Sequence, residues 1–293
     1  MKQPSATGDD WEQAALMHRI GVCALFAMAL AATILGFGVA AEDNIILSVA
    51  MTLLLGMPHG AMDVALATSY RDQNTLRCRA VFIGRYLGLA GMVMLMWRLY
   101  PGISLCLFLV ISAAHFADDW KADFSLPQRL ILGIALLSFP AILYEQNLSD
   151  LFAWLVPAAD AVWIAHTQGW VALVIAPVAA GIIAVNIHKN HLAGAEAALV
   201  LALSIAATPL TFFLLYFCCL HSVRHLMDAS RTLRLTSLKS AAVTGFPYAL
   251  AAFLGVVGFA LFGLNGSVDS NLFMSLFVGL AALTVPHMLL SRH

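Results

Sequence analysis

Charge is what this 293-residue sequence has least of. Lys, Arg, Asp and Glu together make up 11% of it, against about 25% in an ordinary globular chain. Neither sign prevails, since the formal net charge is -1 with ten histidines counted neutral. There is no basic field to hold nucleic acid and no polybasic tail, so a nucleic-acid partner is excluded. Cysteine is also scarce. Cys23, Cys78, Cys106, Cys218 and Cys219 make no C-x-x-C pair and no even framework, which removes the basis for a disulfide scaffold. Cys218 and Cys219 stand three and two residues before His221. Nothing pairs with them at ligand spacing, and they read as small core residues. No fixed-period repeat and no low-complexity linker is present, so a single domain is the simplest division of the chain.

What replaces charge is apolar surface: the hydrophobic fraction is 61% and the mean hydropathy is +0.88. Most charges fall in short clusters between apolar runs long enough to cross a bilayer. The expected fold is therefore an all-α integral membrane protein of about ten transmembrane helices in one bundle. The spans fall near 19–40, 45–68, 80–97, 101–117, 128–145, 170–187, 193–208, 210–227, 241–263 and 272–290. Residues 1–18 form a polar cytoplasmic N-terminus and 19–293 the membrane domain. Asp9, Asp10 and Glu12 are unlike the cationic start of a signal peptide, so the first span is expected to be retained. Between Leu148 and Ile164, Asp150, Trp154, Pro157, Asp160 and Trp163 interrupt the apolar character, which suits an interfacial segment.

The Lys/Arg bias agrees with that count. A cytoplasmic N-terminus places Arg71, Arg77, Arg79, Lys121, Lys189, Arg231, Arg234, Lys239 and Arg292 inside and leaves chiefly Arg98 outside, beside Glu42, Asp43, Glu145 and Asp269. Both termini then lie in the cytoplasm, and a bacterial inner membrane is the expected location.

Inside the spans the histidines stand out, because an imidazole in hydrocarbon still needs partners for two nitrogens. His59, His115, His221, His225 and His287 lie on the second, fourth, eighth and tenth spans. All four spans run from outside to inside, and each carries its histidine in the cytoplasmic half, at roughly one depth. Pro58, flanked by Gly56 and Gly60, removes a backbone donor and lets the helix open around His59. His221 and His225 form an i, i+4 pair on one helix face. Asp63 follows His59 by four residues, Asp118 and Asp119 follow His115 by three and four, and Asp228 follows His225 by three. Such carboxylates are placed to orient a metal-bound imidazole, and Asp63 is the one embedded in a continuing apolar run. His18, His166, His188, His191 and His293 sit at span ends or in loops and read as hydrogen-bonded or solvated side chains.

A set of neutral imidazoles suits Zn, Cu, Fe or Ni and leaves room for an open coordination position. The absence of H-E-x-x-H excludes the glutamate base of a zinc protease. A site within the bilayer favours a lipid-soluble substrate. Three classes fit these residues: an iron oxygenase, a desaturase- or hydroxylase-like membrane enzyme, and a non-enzymatic metal transporter.

Four segments carry a resemblance. Gly56-Met57-Pro58-His59-Gly60-Ala61-Met62-Asp63, Ser112-Ala113-Ala114-His115-Phe116, His221-Ser222-Val223-Arg224-His225 and Pro286-His287-Met288 resemble, in order, signature segments of the Brp/Blh family of bacterial and archaeal β-carotene 15,15′-dioxygenases. The likeness runs from about residue 50 to the C-terminus, and its one departure is Ala117, where glycine is expected. It implies cleavage of β-carotene by dioxygen at non-haem Fe(2+), giving two molecules of retinal, the chromophore of microbial rhodopsins, with a rhodopsin assembly factor as the non-enzymatic alternative. It further implies that His59, His115, His221 and His225 are the iron ligands, with His287 a fifth histidine that either ligates or supports.

Overall fold

The computed structural model describes residues 8–69, 76–235, 238–262 and 267–290. Every regular element among them is helical. Helix α1 (Gly8–Ile34) starts within the polar N-terminal stretch, earlier than the hydropathy alone suggests. It also stops earlier than position 40, for a local reason. Gly36 takes φ +79°, and the Phe37 N–H reaches back to the Ala32 carbonyl at 2.8 Å, the 6→1 closure of a Schellman end that glycine permits.

The second apolar run is the most irregular part of the chain. It consists of α2 (Ile45–Met51), a π-helical stretch Thr52–Gly56, a 3₁₀ stretch Met57–Met62 and α3 (Asp63–Ser69). Pro58 sits in the first turn of the 3₁₀ stretch, where its missing N–H costs least, so the expected opening of this helix is realised. The run 210–227 is interrupted in the same way: α10 (Pro209–Leu214), a π-helical stretch Leu215–His221 and α11 (Ser222–Thr232). The remaining helices are α4 (Leu76–Leu99), α5 (Pro101–Ala117), α6 (Leu126–Ser138), α7 (Pro140–Ala153), α8 (Ala158–Lys189), α9 (His191–Ala206), α12 (Leu238–Phe262) and α13 (Val268–Leu290).

Among the described residues, 8 helices are long and apolar enough to cross a membrane, or 9 if the pair α6 and α7, bent by 51°, makes one span. The expectation of ten differs from this in two places. Pro140 breaks the run 128–145, and α9, with 16 residues, is a shorter apolar helix. The stretch 148–164 is also different from the interfacial segment expected. It divides between the end of α7 and the first turns of α8, a continuous helix of 32 residues, because Pro157 occupies the position just before α8, where proline obstructs nothing. These helices are those of a multi-pass membrane protein.

The chain forms two compact units. The first comprises residues 1–17, 45–99 and 217–293; the second comprises 18–44 and 100–216. In the first, α13 packs on α4 and α2, and α12 packs on α13 and on the 3₁₀ stretch, which also meets α11. Its interior includes Met62, Ala229 and Ala241, with Leu66, Leu226, Leu233 and Leu235 around them. In the second, α5, α6, α7, α8 and α9 pack in a layered group over Leu105, Leu132, Leu136 and Leu203, all essentially inaccessible. Its helix ends are closed by specific partners. Ser125 and Gln128 make a capping box on α6, and Glu42 accepts the Leu210 N–H at 2.8 Å at the start of α10.

Candidate metal centre

Within the first unit, sequence spacing becomes geometry at the junction of the second π-helical stretch with α11. His221 closes that stretch and His225 lies one turn into α11. Their ring centroids are 4.4 Å apart, and each offers a ring nitrogen within 4.8 Å of the other's. The two imidazoles of the i, i+4 pair do meet. His221 is fully buried and stacks on Phe217, with ring centroids 5.5 Å apart and an interplanar angle of 20°.

Two contacts set that stack in place. The Ser222 hydroxyl donates to the Gly56 carbonyl at 2.8 Å, tying the end of the first π-helical stretch to the first residue of α11. A Cβ at Gly56 would overlap the Phe217 ring, so only glycine lets the ring lie against this backbone. π-Helical turns of this kind occur often at functional sites, since the extra residue re-aims the side chains that follow.

His287, near the end of α13, completes a line of imidazoles in this unit: its ring centroid stands 6.0 Å from that of His225. Its Nδ1 lies 2.8 Å from Asp63 Oδ1 and 2.9 Å from Oδ2. Asp63 is 1% exposed, and a buried carboxylate demands such compensation. It has a further donor in Tyr86 of α4, whose hydroxyl lies 3.0 Å from Asp63 Oδ2 and 3.1 Å from the Leu283 carbonyl of α13. Asp63 is also the first residue of α3, where the helix dipole favours a negative charge.

Asp63 was expected to serve His59, one turn earlier. The backbone between them is 3₁₀, a tighter turn than the α-helical one behind that expectation. The His59 backbone belongs to that 3₁₀ stretch, and its side chain lies outside the described residues. Tyr86 was missed altogether. Its signal was a single phenol beside Arg85 within the largely apolar 80–97 run.

His115 lies in the second unit, buried in the last turn of α5. The carboxylates that follow it hold partners of their own there. Asp118 pairs with Arg129 at 2.9 Å, and Asp119 accepts from the Tyr216 hydroxyl. In the first unit, Asp228 is about half exposed, 3.8 Å from Arg231. The second unit also contains a charge cluster that sequence reading passed over. Glu196, 1% exposed, lies 3.1 Å from Arg19 Nε and accepts from Trp120 Nε1 at 3.2 Å, while Arg19 also pairs with Asp123. A carboxylate inside the apolar run 193–208 was its signal.

His18 lies within α1 and His166 within α8, inside helices that extend past the span ends expected for them. His166 is exposed, with Nδ1 3.0 Å from Glu145 Oε1 and Nε2 accepting from Trp170 Nε1 at 3.0 Å. His188 and His191 are exposed, His18 is half-buried, and His293 lies outside the described residues.

A histidine cluster able to hold a metal ion, set among helices apolar enough to cross a bilayer, defines the class of this protein. The particular family follows from comparison. A family model described as beta-carotene 15,15′-dioxygenase matches residues 50–293, and the chain belongs to that family. Over 258 residues it is 29% identical to a beta-carotene 15,15′-dioxygenase of uncultured marine bacterium 66A03, covering 83% of this chain and 91% of that protein. No solved structure matches.

Proposed function

We propose that this chain is a membrane-embedded non-haem iron dioxygenase that cleaves β-carotene at its central double bond into two molecules of retinal. The observation that carries the reading is the family match over residues 50–293, a range that contains all five span histidines. His59, His115, His221 and His225 would hold the metal, and their donor chemistry fits. Neutral imidazoles leave a divalent ion its charge and suit iron, and Asp63 is engaged by Tyr86 and His287 and does not compete as a ligand. When bound, iron supplies the dioxygen chemistry that amino-acid side chains lack.

The balance of the reaction is simple: one C=C bond is broken, both atoms of dioxygen are incorporated, and each new carbonyl carries one of them. No proton need be gained or lost, so the chain's own work is binding, orientation and exclusion of water. An apolar slot places the middle of the polyene at the metal, and that position selects the bond. A carotene is comparable in length to the ~30 Å hydrocarbon core of a bilayer and enters laterally from lipid. The reading includes a bacterial cytoplasmic membrane with both termini cytoplasmic, and delivery of the retinal to a microbial rhodopsin.

Expression in bacteria that accumulate β-carotene, with extraction of the pigments, tests it. Bleaching with appearance of retinal is expected. Intact carotene beside verified membrane-inserted protein overturns the reading, and an apocarotenal of another length overturns central cleavage. Two irons per chain would instead favour the desaturase class.

A further inference from the structure

Asp63, Tyr86 and His287 come from three different helices of the first unit and meet in one buried hydrogen-bonded group. A carboxylate this deep among apolar helices is costly unless compensated, and these two partners supply the compensation. Two facts restrict their chemistry. An ionised carboxylate only accepts, so the ring nitrogen of His287 facing it must carry the proton. That places the hydrogen on Nδ1 and leaves Nε2, on the far side of the ring from Asp63, as the nitrogen with a lone pair. A histidine held in this way, N–H to carboxylate and lone pair outward, is the arrangement of metal-bound imidazoles generally.

Distance is consistent with it. Two imidazoles on one first-row ion, with bonds of about 2.1 Å, keep their ring centroids within about 6.5 Å of each other. The separations of 4.4 Å for His221 and His225 and 6.0 Å for His225 and His287 both fall inside that reach; the His287 nitrogens stand outside the group within 4.8 Å of one another to which His221 and His225 belong, so the His287 ring must swing in to share an ion with them.

We infer that His287 is a further metal-binding histidine of the first unit, with Asp63 and Tyr86 as its positioning residues. Asp63 fixes the tautomer and direction of the ring. Tyr86 has one O–H to give, shared between Asp63 and the Leu283 carbonyl, and so holds the carboxylate beside the helix that carries His287. The ligand class is a divalent first-row ion, and the inference rests on the reading that these histidines hold a metal.

The test uses the full chain in detergent and Co(II) as the probe, following both affinity and the visible ligand-field absorption, which reports the number and type of ligands. His287→Gln and His287→Ala should weaken Co(II) by more than the ~10–100-fold of a change outside the ligand set, and should alter the band shape. Asp63→Ala should weaken it by roughly 10–100-fold, while Asp63→Asn, which retains an acceptor for Nδ1–H, should recover much of the loss. Tyr86→Phe should fall between them. A role confined to packing would lower the melting temperature of the metal-free protein and leave the Co(II) spectrum unchanged, so a wild-type spectrum and affinity in His287→Gln overturns the inference. Carotene cleavage by wild-type protein together with that result rejects the inference alone. Co(II) binding that responds to His287→Gln, in a wild-type protein that leaves carotene intact, supports the inference and rejects the proposed function alone. A wild-type chain that binds no Co(II) overturns the inference, and only intact carotene beside that result overturns the proposed function as well.

Discussion

Replacing Gly56 by alanine adds one methyl group at the point where the two π-helical stretches touch. Its Cβ would fall within the Phe217 ring, with the Thr52 methyl 3.5 Å away on the other side. Gly56 and Phe217 are both buried, so the methyl cannot escape outward and the ring must move. Overpacking of this kind costs about 1–3 kcal/mol. Alanine recovers up to about 1 kcal/mol through its better helical propensity, and the net loss of folding stability is therefore modest, about 0–2 kcal/mol. The effect on metal binding is larger. Phe217 stacks on His221, so in the metal-free protein the overlap is relieved by turning that pair of rings aside. Bringing His221 back for the metal costs the same strain again, and about 1–3 kcal/mol corresponds to a 5- to 150-fold loss of affinity. A double-mutant cycle with Phe217→Leu, read by Co(II) titration and by thermal unfolding, isolates this effect. Gly56→Ala should be severe in the wild-type background and nearly neutral once the ring is gone. Equal losses in both backgrounds, or wild-type affinity in Gly56→Ala, would refute the reasoning.

Three further outcomes are expected. His59→Ala, His115→Ala, His221→Ala and His225→Ala should each lose carotene cleavage and most bound iron; a full iron complement by elemental analysis in any of them removes that residue from the ligand set. Chelation of the purified protein should abolish cleavage, and Fe(II) should restore it where Zn(II) does not; recovery with Zn(II) would reject redox chemistry at the site. Glu196→Ala removes the carboxylate between Arg19 and Trp120 but leaves Arg19 its pair with Asp123. The cost should fall below the 3–5 kcal/mol of a fully broken buried pair, and thermal unfolding should place it at about 1–3 kcal/mol, with Glu196→Gln milder because it still accepts from Trp120.

Local pattern was enough to place much of this protein. Runs of apolar residues demand helices in a bilayer, because no other open structure satisfies the backbone there, so the helical class and most spans could be read directly. The four-residue spacing of His221 and His225 fixes a shared face wherever the backbone stays close to helical, and their rings do meet. Pro58 between two glycines announced the irregular segment at 52–62. Family membership was legible in the same residues, since the short signature segments are local strings.

What the string could not contain is which distant groups meet. Asp63 was assigned a neighbour four residues away by assuming an α-helical turn. The chain has a tighter 3₁₀ turn there, the His59 side chain lies outside the described residues, and the carboxylate meets His287 across 224 positions and Tyr86 across 23. The requirement that Asp63 be compensated followed from its burial in an apolar run, which is a property of composition. The identity of the compensating groups follows only from how α3, α4 and α13 pack, because hydrophobic periodicity reports that a face is buried and carries no information about what it is buried against. The same holds for Gly56: its presence was visible, but the aromatic ring that makes it indispensable comes from a helix more than 160 residues later.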